Sequence, residues 1–290
     1  MLNLLLAIIA SSLVSVSMRL GEKNAKNSIS MLSVNYVICM ILSFLYTGFG
    51  NLLQTGEGMG TAIGLGMTNG FFYIFGLLLF QSSVKQNGVI LSSIFMKLGI
   101  MVPLVLSIIL FKEMPSLVQL IGFLIAILAI VLINIKEKTM DDSLGKTENG
   151  SIKNNLGKLG LILVLVGCGM ADGMSKIYQE LGTARFEELF LVFTFVIAFL
   201  LSVVLVVLKE QKFTRNELLY GTMLGVPNYF SARFLLKALG EIPAVVAYPT
   251  FSIGTIAVIT LNGVIVFKEK ITKLQLFAVG LIAIAVVMLN

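Results

Sequence analysis

The 290-residue sequence contains no histidine and no tryptophan, and it has only two cysteines. The lack of histidine removes the most common general base, metal ligand and pH-responsive side chain of proteins. The lack of tryptophan leaves tyrosine as the main residue for an aromatic belt at a lipid–water interface. Cys39 and Cys168 lie in different apolar runs, so we expect buried thiols rather than a disulfide or a metal site. We therefore expect no metal and no other cofactor.

Charge is also scarce. Only 12% of the residues are charged and 57% are hydrophobic, whereas about 25% of the residues in a soluble domain are charged. The mean hydropathy is +0.98. This composition predicts an all-α polytopic membrane protein, whose partners are the lipid bilayer and a small molecule rather than a nucleic acid. We expect it in the cell membrane, as a monomer or a homodimer.

Ten apolar segments are present that suit a bilayer crossing, which takes about 20 residues of helix. They are residues 2–20, 31–50, 60–82, 88–111, 117–135, 159–181, 187–208, 217–238, 243–267 and 273–290. The polar stretch 136–158 separates five segments from five and is predicted to be a flexible linker. The sequence thus predicts ten transmembrane helices in two five-helix domains, 1–135 and 159–290.

The two halves are related by an internal repeat. Phe-Lys-Glu occurs at residues 111–113 and again at 267–269, each time where an apolar segment ends. The two motifs are 156 residues apart, and at this offset residues 88–134 and 244–290 are identical at 13 of 47 positions. Because five helices is an odd number, the second copy must enter the membrane from the opposite side. Inverted repeats of this kind are typical of secondary transporters, whose substrate sites lie near the bilayer midplane.

Lysine and arginine are unevenly distributed between the connections. In the predicted topology, 14 of them lie on one side and three, Lys112, Arg185 and Lys237, lie on the other. The positive-inside rule assigns the richer side to the cytoplasm, which predicts that both termini are outside.

Polar residues inside apolar segments are the candidates for a substrate site. Lys97 lies about nine residues into the fourth segment, near the bilayer centre, where a charge costs at least about 2.5–3.5 kcal/mol. Asp172 and Lys176 are four residues apart and share a helix face. Tyr229 and Arg233 share a face of the eighth segment in the same way. The remaining candidates are Asn69, Tyr73 and Tyr248.

The charges of this set favour a substrate with an anionic group. Lys97, Lys176 and Arg233 would outnumber Asp172, and cations hold carboxylates or phosphates through charge-assisted hydrogen bonds. If transport is coupled to protons, Asp172 is the expected titrating group. The structural alternatives are a buried ion pair of Asp172 with one of the lysines, and tyrosines that only fill space.

Several residues are predicted to act in gating or architecture rather than in binding. Proline frees a backbone carbonyl and permits a helix to bend. Glutamates at equivalent helix ends would lie on opposite membrane faces, so we interpret them as caps or gating elements. These residues are Pro103, Pro227, Pro249, Glu113 and Glu269. Glycine pairs four residues apart, at 66 and 70, 169 and 173, and 221 and 225, predict close helix contacts.

The two Phe-Lys-Glu motifs, together with the run Ile242-Pro243-Ala244-Val245-Val246, resemble the drug/metabolite transporter superfamily, specifically its EamA-type ten-helix members. The resemblance implies a central substrate site walled by six helices. It also implies alternating access, commonly coupled to a proton or a counter-substrate. Family members are usually drawn with cytoplasmic termini, which is opposite to the charge count; we keep the prediction from charge.

The sequence favours a secondary active transporter of a small anionic or zwitterionic metabolite over three other functions. A multidrug or cation exporter would need an accessible carboxylate. A membrane-embedded enzyme would need paired acidic metal ligands or a histidine centre, and the chain has neither. A scaffold or sensor without transport is the third.

Overall fold

The computed structural model describes residues 1–48, 56–87, 98–135 and 152–265, with isolated positions between 92 and 96 and between 277 and 288. The described residues form helices and no strand. The helices are α1 (Leu2–Asn24), α2 (Ser28–Thr47), α3 (Met59–Asn87), α4 (Met101–Phe111), α5 (Leu117–Ile135), α6 (Ile152–Leu181), α7 (Glu187–Leu208), α8 (Arg215–Glu241) and α9 (Ala244–Ile265). A short 3₁₀ turn, Ala184–Phe186, precedes α7.

The all-helical fold predicted from composition is confirmed. Within the described part of the chain, four helices are long and apolar enough to cross a membrane by length and composition. They are Ser28–Thr47, Met59–Phe80, Leu159–Leu181 and Ala184–Leu208. The count of ten crossings and the inverted repeat remain predictions.

The fourth predicted helix is not continuous. Gly99 and Ile100 form a turn, and α4 begins only at Met101. Pro103 has no backbone N–H, so it cannot donate to the Gly99 carbonyl, and Val102 N–H bonds to that carbonyl at 2.9 Å instead. The expectation of one helix over 88–111 was therefore wrong at Gly99, one turn before the proline.

Helix α6 begins earlier than predicted. The polar stretch 136–158 was interpreted as linker, but residues from Ile152 onward are helical. Its first residues include lysine and asparagine, so a polar turn of helix precedes the apolar part that starts at Leu159.

The chain divides into two compact units that interleave the two sequence halves. Unit 1 contains Met1–Ile74 and Met174–Pro243; unit 2 contains Phe75–Gly173 and Ala244–Asn290. Helices α3 and α6 each contribute to both units.

Two connections meet at one end of unit 1. The buried carboxylate of Glu217, in the first turn of α8, accepts hydrogen bonds at 3.0 Å from the backbone N–H groups of Lys26 and Asn27. Gln211 accepts at 3.1 Å from the first N–H groups of α2, those of Ile29 and Ser30. The end of the α1–α2 hairpin is thus fastened to the α7–α8 connection.

We expect Glu217→Ala to destabilise the protein by about 1–3 kcal/mol, because it leaves partly buried backbone donors without acceptors. Glu217→Gln, which keeps one acceptor oxygen, should lose less. Chemical unfolding in detergent measures both changes. Wild-type stability in Glu217→Ala would show that these hydrogen bonds do not fasten the hairpin.

Close helix packing through glycine pairs is confirmed in both units. A Cβ added at Gly66 or Gly70 of α3 would lie 2.6 or 2.5 Å from a backbone carbonyl oxygen of α7. A Cβ at Gly221 or Gly225 of α8 would lie 2.7 or 2.8 Å from a carbonyl oxygen of α2. In unit 2, Gly169 of α6 packs in the same way against the turn that precedes α4. Only glycine permits backbones to approach this closely.

Candidate functional site

An ion pair between α7 and α8 is the centre of the candidate site. Arg233 donates from Nε to Oε1 of Glu188, and the two side chains are 17% and 21% exposed. Glu188 lies in the first turn of α7, where the positive end of the helix dipole favours a carboxylate. Arg233 lies two turns before the end of α8. The pair is therefore located toward the end of unit 1 opposite to Glu217.

The guanidinium of Arg233 lies over an aromatic ring. Its Cζ lies 4.0 Å from the ring centroid of Tyr46, at the end of α2, which is within cation–π range. Glu188 occupies only Nε. The two terminal nitrogens of Arg233 make no hydrogen bond to any residue that the structure describes. Those two nitrogens form an edge that matches the two oxygens of a carboxylate.

Tyr229, one turn before Arg233 on α8, binds the second oxygen of the Glu188 carboxylate. Its hydroxyl donates to Oε2 of Glu188 at 2.9 Å, and its side chain is fully buried. Its ring centroid lies 5.7 Å from that of Tyr46 and 6.2 Å from that of Phe195. The predicted face shared by Tyr229 and Arg233 thus exists, and its two residues meet the same carboxylate.

Further aromatic contacts connect Tyr229 with other helices of unit 1. Phe195 of α7 contacts Tyr73 of α3 at 6.0 Å between centroids, and Tyr73 contacts Tyr36 of α2 at 6.3 Å. We name Tyr36, Tyr73, Phe195, Tyr229 and Tyr46 the aromatic row. Tyr73, predicted from sequence, therefore joins Tyr229 and Arg233 in one connected group.

Pro227 lies inside α8 near this group. Proline leaves the carbonyl four residues earlier, that of Met223, without its helical partner. The Ser17 hydroxyl of α1 donates to that carbonyl at 3.1 Å. A polar residue of α1 thus satisfies the acceptor that the proline releases.

Lys176 has a carboxylate partner in its own helix. It is 1% exposed and forms an ion pair with Glu180, four residues later in α6. Together with the Glu188–Arg233 pair, this corrects the expected charge balance. Lys176 and Arg233 were counted as excess positive charge against Asp172, but each is paired with a glutamate.

Asn69 is located in helix packing rather than beside the ion pair. Its Nδ2 lies 3.4 Å from the Thr194 hydroxyl of α7, and it is 1% exposed. Its neighbour in sequence is Gly70, which packs against the same turn of α7. Asn69, which was predicted to contact the substrate, therefore lies in the α3–α7 interface.

The other predicted residues belong to unit 2. Tyr248 of α9 is buried and donates its hydroxyl to the backbone carbonyl of Asp172 at 2.5 Å. It is followed by Pro249, which is inside α9. Glu113 accepts from the Ser107 hydroxyl and, at 3.1 Å, from the N–H of Ala244, the first residue of α9. Lys97 and Glu269 lie outside the described residues.

Glu188 was missed by the sequence reasoning. None of the candidate residues named from the sequence lies in the seventh segment, 187–208, which is almost wholly apolar. The partners of Glu188 are 41 and 45 residues away in sequence, so spacing within one helix could not reveal them. A local signal was present, because two glutamates open an otherwise apolar segment.

Comparison with known proteins decides the family of the first half. Residues 1–135 match the model of the EamA-like transporter family. These residues form an EamA-like domain. Residues 189–282 match the model named Small Multidrug Resistance protein. The drug/metabolite transporter identification is thereby confirmed, and the two matches indicate a membrane transporter of that type.

Two individual proteins resemble this chain along most of its length. An uncharacterized protein of Haemophilus influenzae is 27% identical over 284 residues, covering 94% of this chain and 92% of that protein. A protein of known crystal structure matches with a TM-score of 0.72 and 15% identity, covering 99% of this chain and 94% of that one. The second likeness concerns the fold alone.

Proposed function

We propose that this protein is a secondary active transporter that moves a small zwitterionic or anionic metabolite across the cell membrane by alternating access. In this proposal the substrate carries a carboxylate, which the terminal nitrogens of Arg233 bind. The protein would act as a monomer or homodimer and would need no cofactor. One observation carries the proposal. Glu188 binds Nε of Arg233 and the Tyr46 ring lies against the guanidinium, while the two terminal nitrogens have no partner among the described residues.

The position of Arg233 suits reversible carboxylate binding. Glu188 and Tyr46 both contact the guanidinium, so less side-chain freedom remains to be lost when a ligand binds. A bidentate carboxylate would make two parallel charge-assisted hydrogen bonds, which are about twice as strong as neutral ones. Partial burial strengthens them further because water competes less.

Glu188 favours a zwitterion over a simple anion. Its carboxylate is 21% exposed and accepts a hydrogen bond from the Tyr229 hydroxyl. A substrate ammonium could bind this carboxylate while the substrate carboxylate binds Arg233. An anion without the ammonium would bring a second negative charge to the Glu188–Arg233 pair. Amino-acid-like compounds carry both groups.

Helix packing between the two sequence halves supports the inverted repeat on which the proposed alternating access is based. Helix α3 packs through Gly66 and Gly70 on α7, and its repeat counterpart α8 packs through Gly221 and Gly225 on α2. Helix α7 is the counterpart of α2. Each third helix therefore contacts the second helix of the other repeat, as a two-fold axis between the repeats would require.

A thermal-shift screen with ligands matched in size tests the substrate class. Purified protein is mixed with amino acids, the corresponding carboxylic acids without the amino group, the corresponding amines without the carboxylate, and sugar phosphates. Ligands that bind the folded state raise the melting temperature by mass action. We expect the amino acids to raise it most and the amines not at all. Stabilisation by amines alone would contradict the proposal.

Export of cationic drugs is the second candidate. It is favoured by the match of residues 189–282 to the Small Multidrug Resistance model and by the partly exposed carboxylate of Glu188. Arg233 opposes it, because this cation is already paired with Glu188. Saturable binding of a lipophilic cation that is lost in Glu188→Gln and unaffected by amino acids would favour drug export.

For coupling, we keep Asp172 as the group that exchanges a proton if the transport is proton-coupled. Uptake into proteoliposomes with and without a pH gradient tests this. A gradient that drives wild-type uptake should have no effect on Asp172→Asn, while counter-substrate exchange persists. Indifference of the wild type to the gradient would instead indicate exchange or facilitated diffusion.

A further inference from the structure

We propose that exposed cations at one end of unit 1 bind the headgroup phosphate of an anionic phospholipid. The four residues, which we name the basic corner, are Lys26, Lys209, Lys212 and Arg215. This inference does not depend on the transported substrate.

The basic corner is located where two candidate spans end. The span Ser28–Thr47 begins two residues after Lys26, and the span Ala184–Leu208 ends immediately before Lys209. Arg215 is the first residue of α8. Residues that directly follow or precede the apolar part of a span lie at the level of the lipid headgroups.

Hydrogen bonds hold the two connections of the basic corner together. Glu217 binds the backbone N–H groups of Lys26 and Asn27, and the amide of Asn216 donates to the Asn24 carbonyl at 3.0 Å. Gln211 binds the start of α2. The cations are therefore presented on a fixed backbone rather than on two independent loops.

The charges of the basic corner are not neutralised by an ion pair with any residue that the structure describes. All four cations are exposed, and none makes a side-chain hydrogen bond or ion pair with any described residue. Glu217 is fully buried and bound to backbone donors. Among residues 25–27 and 209–215, all of which are described, Glu210 is the one exposed carboxylate. Anionic headgroups attract clusters of this kind.

Apolar side chains beside the cations favour a lipid over a soluble phosphate. Phe213 lies between Lys212 and Thr214 and is 50% exposed. Leu208, at the end of α7, is 73% exposed. A phospholipid would contact both groups of residues, with its phosphate on the cations and its acyl chains against Phe213 and Leu208. A free phosphate would contact only the cations.

Melting temperatures in mixed micelles test the proposal. The protein is supplemented with phosphatidylglycerol or with phosphatidylcholine of the same acyl chains. We expect phosphatidylglycerol to raise the melting temperature by several degrees more than phosphatidylcholine. The triple variant Lys209→Gln, Lys212→Gln, Arg215→Gln should lose most of this difference, and Lys212→Gln alone should lose part of it. The matched control is Arg185→Gln, Lys237→Gln, which removes cations near the other end of unit 1.

Three results would overturn the proposal. The first is a triple variant that keeps the full preference for phosphatidylglycerol, and the second is a control variant that loses as much of it as the triple variant does. The third is inorganic phosphate raising the melting temperature as much as phosphatidylglycerol does, which would identify the basic corner as a site for soluble anions. Native mass spectrometry, which counts retained phosphatidylglycerol molecules, provides a second readout if the triple variant is less stable.

Discussion

Arg233→Ala is expected to lower transport of a carboxylate substrate by about 100-fold while the protein remains folded and inserted. Loss of a hydrogen-bonded charge contact costs about 1.5–3 kcal/mol, and each 1.4 kcal/mol is a factor of ten. Initial uptake rates in proteoliposomes measure the effect. Arg233→Lys should recover only part of the activity, because an ammonium lacks the planar edge that binds two carboxylate oxygens.

Two controls separate binding from folding in this experiment. Lys237→Ala removes a cation one turn later on α8 that does not join the Glu188–Arg233 pair, so its uptake should be near wild type. The double variant Glu188→Gln, Arg233→Gln removes both charges together, so no lone carboxylate is left in a partly buried position. It should fold as the wild type does and should not transport. Wild-type uptake by Arg233→Ala would eliminate the proposed site.

Gly70→Ala is expected to destabilise the protein by about 1–3 kcal/mol, the usual cost of overpacking. Its new Cβ would lie 2.5 Å from the Thr194 carbonyl oxygen and 2.8 Å from Ile197 Cβ. Neither atom can move without displacing α7. Equilibrium unfolding in mixed micelles measures the change in free energy.

Gly64→Ala is the matched control on the same helix. Nothing lies within 4 Å of a Cβ added there. Because alanine favours helix over glycine by up to about 1 kcal/mol, Gly64→Ala should be neutral or slightly stabilising. Equal stabilities of Gly64→Ala and Gly70→Ala would contradict the close approach of α3 and α7.

The glycine pairs and the Tyr229–Arg233 face could be predicted because each depends on spacing within one helix. The break at Gly99 had a local signal as well, since a proline four residues after a glycine removes the hydrogen bond to that glycine's carbonyl. The apolar character of the fourth segment outweighed this signal.

Contacts between distant helices could not be predicted in the same way. The charge count treated Arg233 as excess positive charge because Glu188 lies 45 residues away. Asn69 was predicted to contact substrate because it is polar in an apolar segment, and polarity alone could not reveal its hydrogen bond across a helix interface. In the structure its partner, Thr194, is 125 residues away. Sequence spacing thus indicated which residues were candidates but not which carboxylate each would meet.

The central claim is that Arg233 and Glu188 bind the two charges of one substrate. The most direct test measures the dissociation constants of an amino acid and of the same acid without its amino group. Both are measured by calorimetry on wild type and on Glu188→Gln. We expect the wild type to prefer the amino acid at least about tenfold, which corresponds to 1.4 kcal/mol of coupling between the ammonium and Glu188. Glu188→Gln should lose this preference. An unchanged preference in Glu188→Gln, or none in the wild type, would contradict the account.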